Sequence, residues 1–287
     1  MPDIRKVKRR IKSVQNIAKI TRAMEMIAAS KMRKAQERGL QGRPYAEKIE
    51  QVIADLAALP ETTMHHPLLQ RRDVKKICIV HITPDRGLAG GLNANLNRNL
   101  GNFILEQREK DIPVQVVAIG RKGREFITRS GIDMSAEFSG LGDKPGFLDT
   151  LPISNLIING YTNGVIDEVY ISYARFISTM TQKPETKQLL PVKPAQIPGG
   201  QNVDYIYEPD AEQVLGGLLP RFVEMEIYHA ILESIASEQS ARMVAMRNAT
   251  ESANDLIGDL TLLYNKARQE SITRELLDIN AGVAALE

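Results

Sequence analysis

The stretch that decides the architecture is Arg221–Glu287: RFVEMEIYHAILESIASEQSARMVAMRNATESANDLIGDLTLLYNKARQESITRELLDINAGVAALE. Its 67 residues hold no proline and two glycines, Gly258 and Gly282. As unbroken α-helix, rising ~1.5 Å per residue, it would reach roughly 100 Å. Helices in globular domains usually stop near about 10–14 residues. A helix this long cannot be buried in a domain of ordinary size, so it must pair with itself or with something else. The first 43 residues read the same way, with their one proline at position 2. The pairing this predicts is an antiparallel coiled coil of N- and C-terminal helices beside a globular middle.

In the first segment the large apolar residues Ile4, Val7, Ile11, Val14, Ile17, Ile20, Met24 and Ile27 fall at steps of three and four, a helical stripe with one short step. Pro44 should end or kink that helix, with a second helical stretch from Ala46 to Leu59. The polar stretch Glu61–Asp73 reads as a linker. At the other end Ile272, Leu276, Ile279, Val283 and Leu286 step by 4, 3, 4 and 3, and Leu256, Leu260, Leu263 and Ala267 extend the seam upstream. Between these and Glu233 the residues are small and polar, as in a close-packed helix pair.

The middle alternates. Val74–Thr83 and Pro113–Gly120 are continuous apolar runs of the kind that make buried strands. Asn93–Lys110 and Arg121–Ser130 read as helices, and Ile132–Phe138 as a third strand. Ile153–Thr162 reads as helix, Glu168–Ile177 as strand and Lys187–Pro194 as an edge strand. The fold class is therefore α/β: a Rossmann-like domain with a mostly parallel sheet, carried by the terminal helices. The domain boundaries expected are 1–59, 74–205 and 209–287.

Composition bounds the function. Apolar residues make up 43% and charged residues 25%, and no run is long enough to span a bilayer. The basic start is followed by no apolar stretch of a secretory signal. A single cysteine, Cys78, allows neither an internal disulfide nor a cysteine metal cluster. The net charge of +2 is unevenly spread: residues 1–50 hold 14 Lys/Arg against five acids. Such an arm attracts an anionic partner (nucleic acid, membrane or acidic protein loops) or is a solvated helix face.

Motifs of catalysis are sparse. The strand-to-helix turn Thr83–Asn93 is glycine-rich, as in phosphate-binding α/β folds. It is neither G-x-G-x-x-G nor a P-loop, and Gly120-Arg121 stands where an acid would end the second strand. The four histidines, His65, His66, His81 and His229, show no metal-ligand spacing. Three readings follow: a mechanical or interaction protein, a nucleotide-binding α/β enzyme with a coiled-coil oligomerisation module, and a nucleic-acid-binding coiled coil.

Several stretches resemble the gamma subunit of the F-type, proton-translocating ATP synthase of bacterial type. They are Lys19–Lys34 (KITRAMEMIAASKMRK), Arg43–Glu47 (RPYAE), Asp85–Asn93 (DRGLAGGLN), Ser237–Arg247 (SEQSARMVAMR) and Leu263–Leu276 (LYNKARQESITREL), in order along the whole chain. The resemblance implies a central rotor shaft that couples the membrane rotor ring to ATP synthesis at the beta subunits. It implies no catalytic residue, cofactor or metal in this chain. The implied partners are three alpha and three beta subunits, the epsilon subunit and the ring of c subunits, with one shaft per complex, no nucleic acid, and a peripheral place on the cytoplasmic face of the cell membrane. By the same resemblance Met24, Lys31, Arg33 and Lys34 meet acidic levers of the beta subunits. Arg268, Gln269, Thr273 and Glu275 grip loops of the ring, and Ile272, Leu276, Ile279, Val283 and Leu286 form the tip bearing. Tyr205, Tyr207 and Glu208 meet epsilon and the rotor ring.

Overall fold

The computed structural model describes residues 3–57, 66–193, 208 and 210–284. The chain divides into two compact units, residues 1–28 with 243–287, and residues 29–242. Two long helices run through the division: α1, Ile4–Ala57, and α5, Ala211–Ala284.

The larger unit is built on five strands: β1 (Ile77–Ile82), β2 (Val114–Ile119), β3 (Met134–Phe138), β4 (Glu168–Phe176) and β5 (Gln182–Leu190). Their order in the sheet is β3-β2-β1-β4-β5, with β1 to β4 parallel and β5 antiparallel to β4. The apolar run of β1 is buried at every residue, as a central parallel strand requires. Alternate residues of the strands point to opposite faces. Ile79, Val116 and Ala118 meet Leu100 and Ile104 of α2 (Leu92–Arg108) and Ile127 of α3 (Arg121–Arg129). Cys78, Val80, Val117, Ile119 and Ile171 face the other way, in one core with Ile153 and Ile157 of α4 (Phe147–Thr162). Ile49 and Ile53 of α1, and Leu215, Leu219, Val223 and Ile227 of α5, close that second face.

Three expectations need correction. Pro44 does not end the first helix: α1 continues to Ala57. A mid-helix proline costs roughly 3 kcal/mol. Ile49 and Ile53, 4% and 2% exposed, each return about 1.5–3 kcal/mol by burial, which carries the helix past it. The linker is anchored in its second half. Pro67–Leu69 form a 3-10 turn, Leu68 is in the core, and its carbonyl accepts the Val192 N–H at 2.9 Å. The edge strand starts earlier than its apolar end implies, at Gln182, because β4 supplies a ladder partner for polar residues too.

In the smaller unit the helices form an antiparallel pair. Ile11, Val14 and Ala18 pack with Ala253, Ile257 and Leu260, and the Thr21 and Thr250 hydroxyl oxygens lie 2.7 Å apart. The stripe read from the large residues is wrong beyond Val14. The side facing the partner runs Val7, Ile11, Val14, Ala18, Thr21, Glu25 and Ala28, a regular 4-3 alternation of buried or half-buried positions. Ile17, Ile20 and Ile27 lie on the outside, 49%, 59% and 54% exposed. On α5 the matching seam is Met246, Thr250, Ala253, Ile257, Leu260, Tyr264 and Ala267, and Leu256 and Leu263 are exposed instead. Small seam residues bring the two backbones close, and the isoleucines that sequence alone places inside are displaced from the narrow contact.

Candidate functional site: partner-binding surfaces

The pairing has an end. Seventeen residues outward from the Thr21–Thr250 contact come Ile4, where α1 begins, and Ala267, the last buried residue of α5 among the side chains described. Residues 268–284 continue as helix, roughly 25 Å at ~1.5 Å per residue, past the start of α1. Arg268, Gln269, Thr273 and Glu275 are exposed on this overhang, with the Ser271 hydroxyl donating to Glu275 at 3.4 Å. Ile272, Leu276 and Ile279 are exposed too, so their apolar stripe is not a seam within this chain. Val283 lies on the same helix, and Leu286 lies outside the described residues.

Met24 is half-buried in the smaller unit. In the larger unit Lys31 is tied down: its Nζ lies 2.6 Å from Asp143 Oδ2, and Asp143 Oδ1 accepts the Gln239 amide at 3.1 Å. Arg33 and Lys34 are exposed. Glu208 is exposed, while Tyr205 and Tyr207 lie outside the described residues.

The glycine-rich turn shows why it does not read as a phosphate loop. Asp85, just past β1, places Oδ1 on the Arg121 N–H at 3.0 Å and Oδ2 on the Gly140 N–H at 3.1 Å. Arg121 opens α3, so the chain's own carboxylate takes the place at a helix N-terminus that a bound phosphate takes in nucleotide folds. Nearby, Arg242 of α5 donates to the Gly87 carbonyl at 3.2 Å and pairs with Glu238 at 2.6 Å. Burial raises the Glu238 carboxyl above its ordinary range, against the pull of Arg242. Asp85 and Glu238 both lie in stretches quoted for the family resemblance, but their contacts are not legible there: Asp85 reaches Arg121 and Gly140, 36 and 55 residues on, and Glu238 is buried against Arg242 one helical turn away.

His81 is fully buried, with Nδ1 3.2 Å from the Ser172 hydroxyl and Nε2 3.1 Å from Asn97 Oδ1. Burial lowers its pKa to about 4, so it is a neutral core residue at neutral pH. A folded pKa below the unfolded value of about 6.5 means stability is complete above pH 6.5 and falls as the pH drops towards 4. Urea unfolding at pH 7 and pH 4.5 should show His81 contributing a loss of about 2 kcal/mol. A His81→Gln variant should show a difference between the two pH values that is smaller by that amount. An unchanged difference would refute the assignment.

Among the described residues no helix is long and apolar enough to cross a membrane, and no cluster of metal-ligand side chains occurs. The sequence profile of the ATP synthase family matches residues 3–286. The ATP synthase gamma chain of Dehalococcoides mccartyi is 66% identical over 287 residues, the full length of both chains. That of Chloroflexus aurantiacus is 52% identical over 288 residues, covering 100% of this chain and 99% of its own. Among solved structures, a chain of the Euglena gracilis mitochondrial ATP synthase OSCP/F1/c-ring assembly aligns with a TM-score of 0.67 at 18% identity, over 99% of this chain and 94% of that one. A chain of the Tetrahymena thermophila mitochondrial ATP synthase central stalk/c-ring aligns at 0.60 and 23% identity, over 80% of this chain and 99% of that one. These structures share the fold; the close sequence relatives and the matched profile show that the chain belongs to the ATP synthase gamma family.

Proposed function

We propose that this chain, a non-catalytic central-stalk subunit of ATP synthase, turns inside a ring of three alpha and three beta subunits, one copy per complex. Its larger unit stands on the membrane ring of c subunits beside epsilon. The complex holds it peripherally at the cytoplasmic face of the membrane, and ATP is made at the beta subunits. The observation that carries the reading is the outward face of the coiled coil. Ile20, Met26, Ile27, Leu262, Leu276, Leu277 and Ile279 are each more than half exposed, although the two helices are already paired or extended past their pairing. Apolar surface of that extent on a soluble chain marks a partner that encloses it. The exposed Arg33 and Lys34 meet acidic levers of the beta subunits, where long-range attraction with few directional bonds guides motion without locking it. Arg268, Gln269, Thr273 and Glu275 grip ring loops. Met24 and Lys31 flank the basic contact, Ile272, Val283 and Leu286 complete the tip bearing, and Tyr205, Tyr207 and Glu208 meet epsilon and the rotor ring. The exposed apolar face and the carboxylate-filled turn both count against the nucleotide-enzyme reading.

Co-expression with the alpha and beta subunits of the same organism, followed by sizing and an ATPase assay, tests this. A complex of three alpha, three beta and one gamma-family chain, with hydrolysis that depends on this chain, is the expected result. A folded chain that elutes alone and leaves alpha and beta inactive overturns it. Reversing the charges with Arg33→Glu and Lys34→Glu should lower proton-driven ATP synthesis about tenfold while complex yield stays unchanged. Equal losses of synthesis and assembly would contradict the lever contact.

A further inference from the structure

A second charged site lies in the larger unit, lined by none of the residues assigned a partner above. At the edge where β1 and β4 begin, a cleft of about 220 Å³ is lined by Arg71, Arg72, Asp167, Glu168, Gln188 and Lys193. That volume equals about seven water molecules, at ~30 Å³ each, and accommodates one phosphate group.

The two carboxylates are already engaged by neutral donors. Asp167 Oδ2 accepts the main-chain N–H groups of Lys75 and Lys76 at 2.8 and 2.9 Å. Glu168 Oε2 accepts the Tyr170 hydroxyl at 2.9 Å, and Oε1 the Gln188 amide at 3.2 Å. Among the described residues neither carboxylate comes within 4.0 Å of a basic nitrogen of Arg71, Arg72 or Lys193. Among the described residues no contact ion pair ties up these basic groups, so Arg71, Arg72 and Lys193 line the cleft with one positive charge more than its two carboxylates carry. Arg72 is also fixed in place: its Nη1 donates to the Tyr161 carbonyl at 2.9 Å, and the guanidinium sits 5.0 Å from the Tyr161 ring centroid. A guanidinium held by one nitrogen and a ring presents its remaining donors in a fixed fork, the geometry that matches two oxygens of a phosphate. Arg71 and Lys193 are exposed at the rim and can swing onto a third oxygen.

We infer that this cleft binds a phosphate-class oxyanion, with Arg72 as the fixed fork and Arg71 and Lys193 as closing charges. The group is either free phosphate or the phosphate of an anionic lipid headgroup. Neither is implied by the shaft role, and the site stands whether or not that role holds.

The full-length chain is titrated calorimetrically with inorganic phosphate, with sodium chloride at matched ionic strength as reference. In parallel it is co-sedimented with phosphatidylcholine vesicles containing or lacking phosphatidylglycerol. The wild type should bind one of the two phosphate sources saturably, and the Arg71→Gln/Lys193→Gln variant should weaken that binding at least about tenfold. Those two side chains are exposed, so circular dichroism should confirm an unchanged fold. Arg72→Lys, which keeps the charge and loses the fork, should weaken it about fivefold or more. Phosphate binding without vesicles identifies the free ion as the source. Sedimentation that needs phosphatidylglycerol, without free-phosphate binding, identifies the lipid. Binding equal to chloride, or binding of either source unaffected by the double variant, overturns the site.

Discussion

Backbone amides of residues 272–284 should exchange, in the isolated chain, within about tenfold of the rates of an unfolded peptide, while those around Thr21 and Thr250 are slower by several orders of magnitude. The reason is the end of the pairing at Ala267. A lone helix of some 17 residues is marginal in water, because most helical stability comes from packing an apolar face against a partner. Here residues 272–281 are all exposed, so among the described residues the stretch buries no apolar face. Inside the assembled complex the same amides should slow by about a hundredfold or more, as the ring supplies the missing contact. Hydrogen-exchange mass spectrometry on the free chain and on the complex reads both values. Protection of the free tail equal to that at Thr250 would remove the argument that it needs a partner.

Replacing Gly120 by alanine should cost about 4 kcal/mol or more, enough to unfold much of the larger unit at 37 °C. Gly120 joins β2 to α3 at φ +92°, a conformation that L side chains rarely adopt. A Cβ there would stand 1.9 Å from the Thr83 carbonyl oxygen and 2.8 Å from its carbon, both main-chain atoms of the neighbouring strand end. The clash cannot be relieved by a rotamer change, so the ends of β1 and β2 must part. That would also pull apart the Asp85 bridge to Arg121 and Gly140. Gly131→Ala is the matched control: its φ is +62°, but nothing lies within 4 Å of the added carbon. It should cost about 1–2 kcal/mol, the conformational term alone. Urea midpoints for the two variants separate strain from collision, and equal losses would disprove the collision.

The sheet was legible in the sequence because its central strands are unbroken apolar runs, a pattern a helix of that length seldom shows. The seam of the coiled coil was not. Reading Ile17, Ile20 and Ile27 as core assumes that a chain buries its own largest apolar residues, and this one gives those positions to Ala18, Thr21, Glu25 and Ala28. The assumption fails where, on the reading proposed above, the apolar surface faces another chain. On the same reading Ile272, Leu276 and Ile279 form an exposed helical stripe with no apolar mate among the described residues. Pro44, expected to end or kink the helix, does not end it, because the burial of Ile49 and Ile53 offsets the local backbone cost. Of the surfaces, the basic charge of residues 1–50 could be read from composition alone, with Arg33 and Lys34 singled out by the resemblance. Asp85 could not, because its role depends on Gly140, which β3 brings to it from 55 residues away. The anion cleft draws Arg71, Asp167 and Lys193 together from three separate segments and leaves no motif in the chain.

The contact between Thr21 and Thr250 has a consequence in where its protons sit. Each hydroxyl also lies within reach of a carbonyl in its own helix, Ala18 O at 3.1 Å and Met246 O at 2.9 Å. Two hydrogens thus serve three oxygen-to-oxygen distances, and only two can be bonded at once. Either Thr250 donates to Met246 and receives from Thr21, or Thr21 donates to Ala18 and receives from Thr250. The two arrangements make the same number of bonds, so the link between the helices survives a reversal of its polarity. Whichever helix turn loosens its grip on its own hydroxyl, the crossing bond takes up the freed proton, and neither oxygen is stranded in the dry seam.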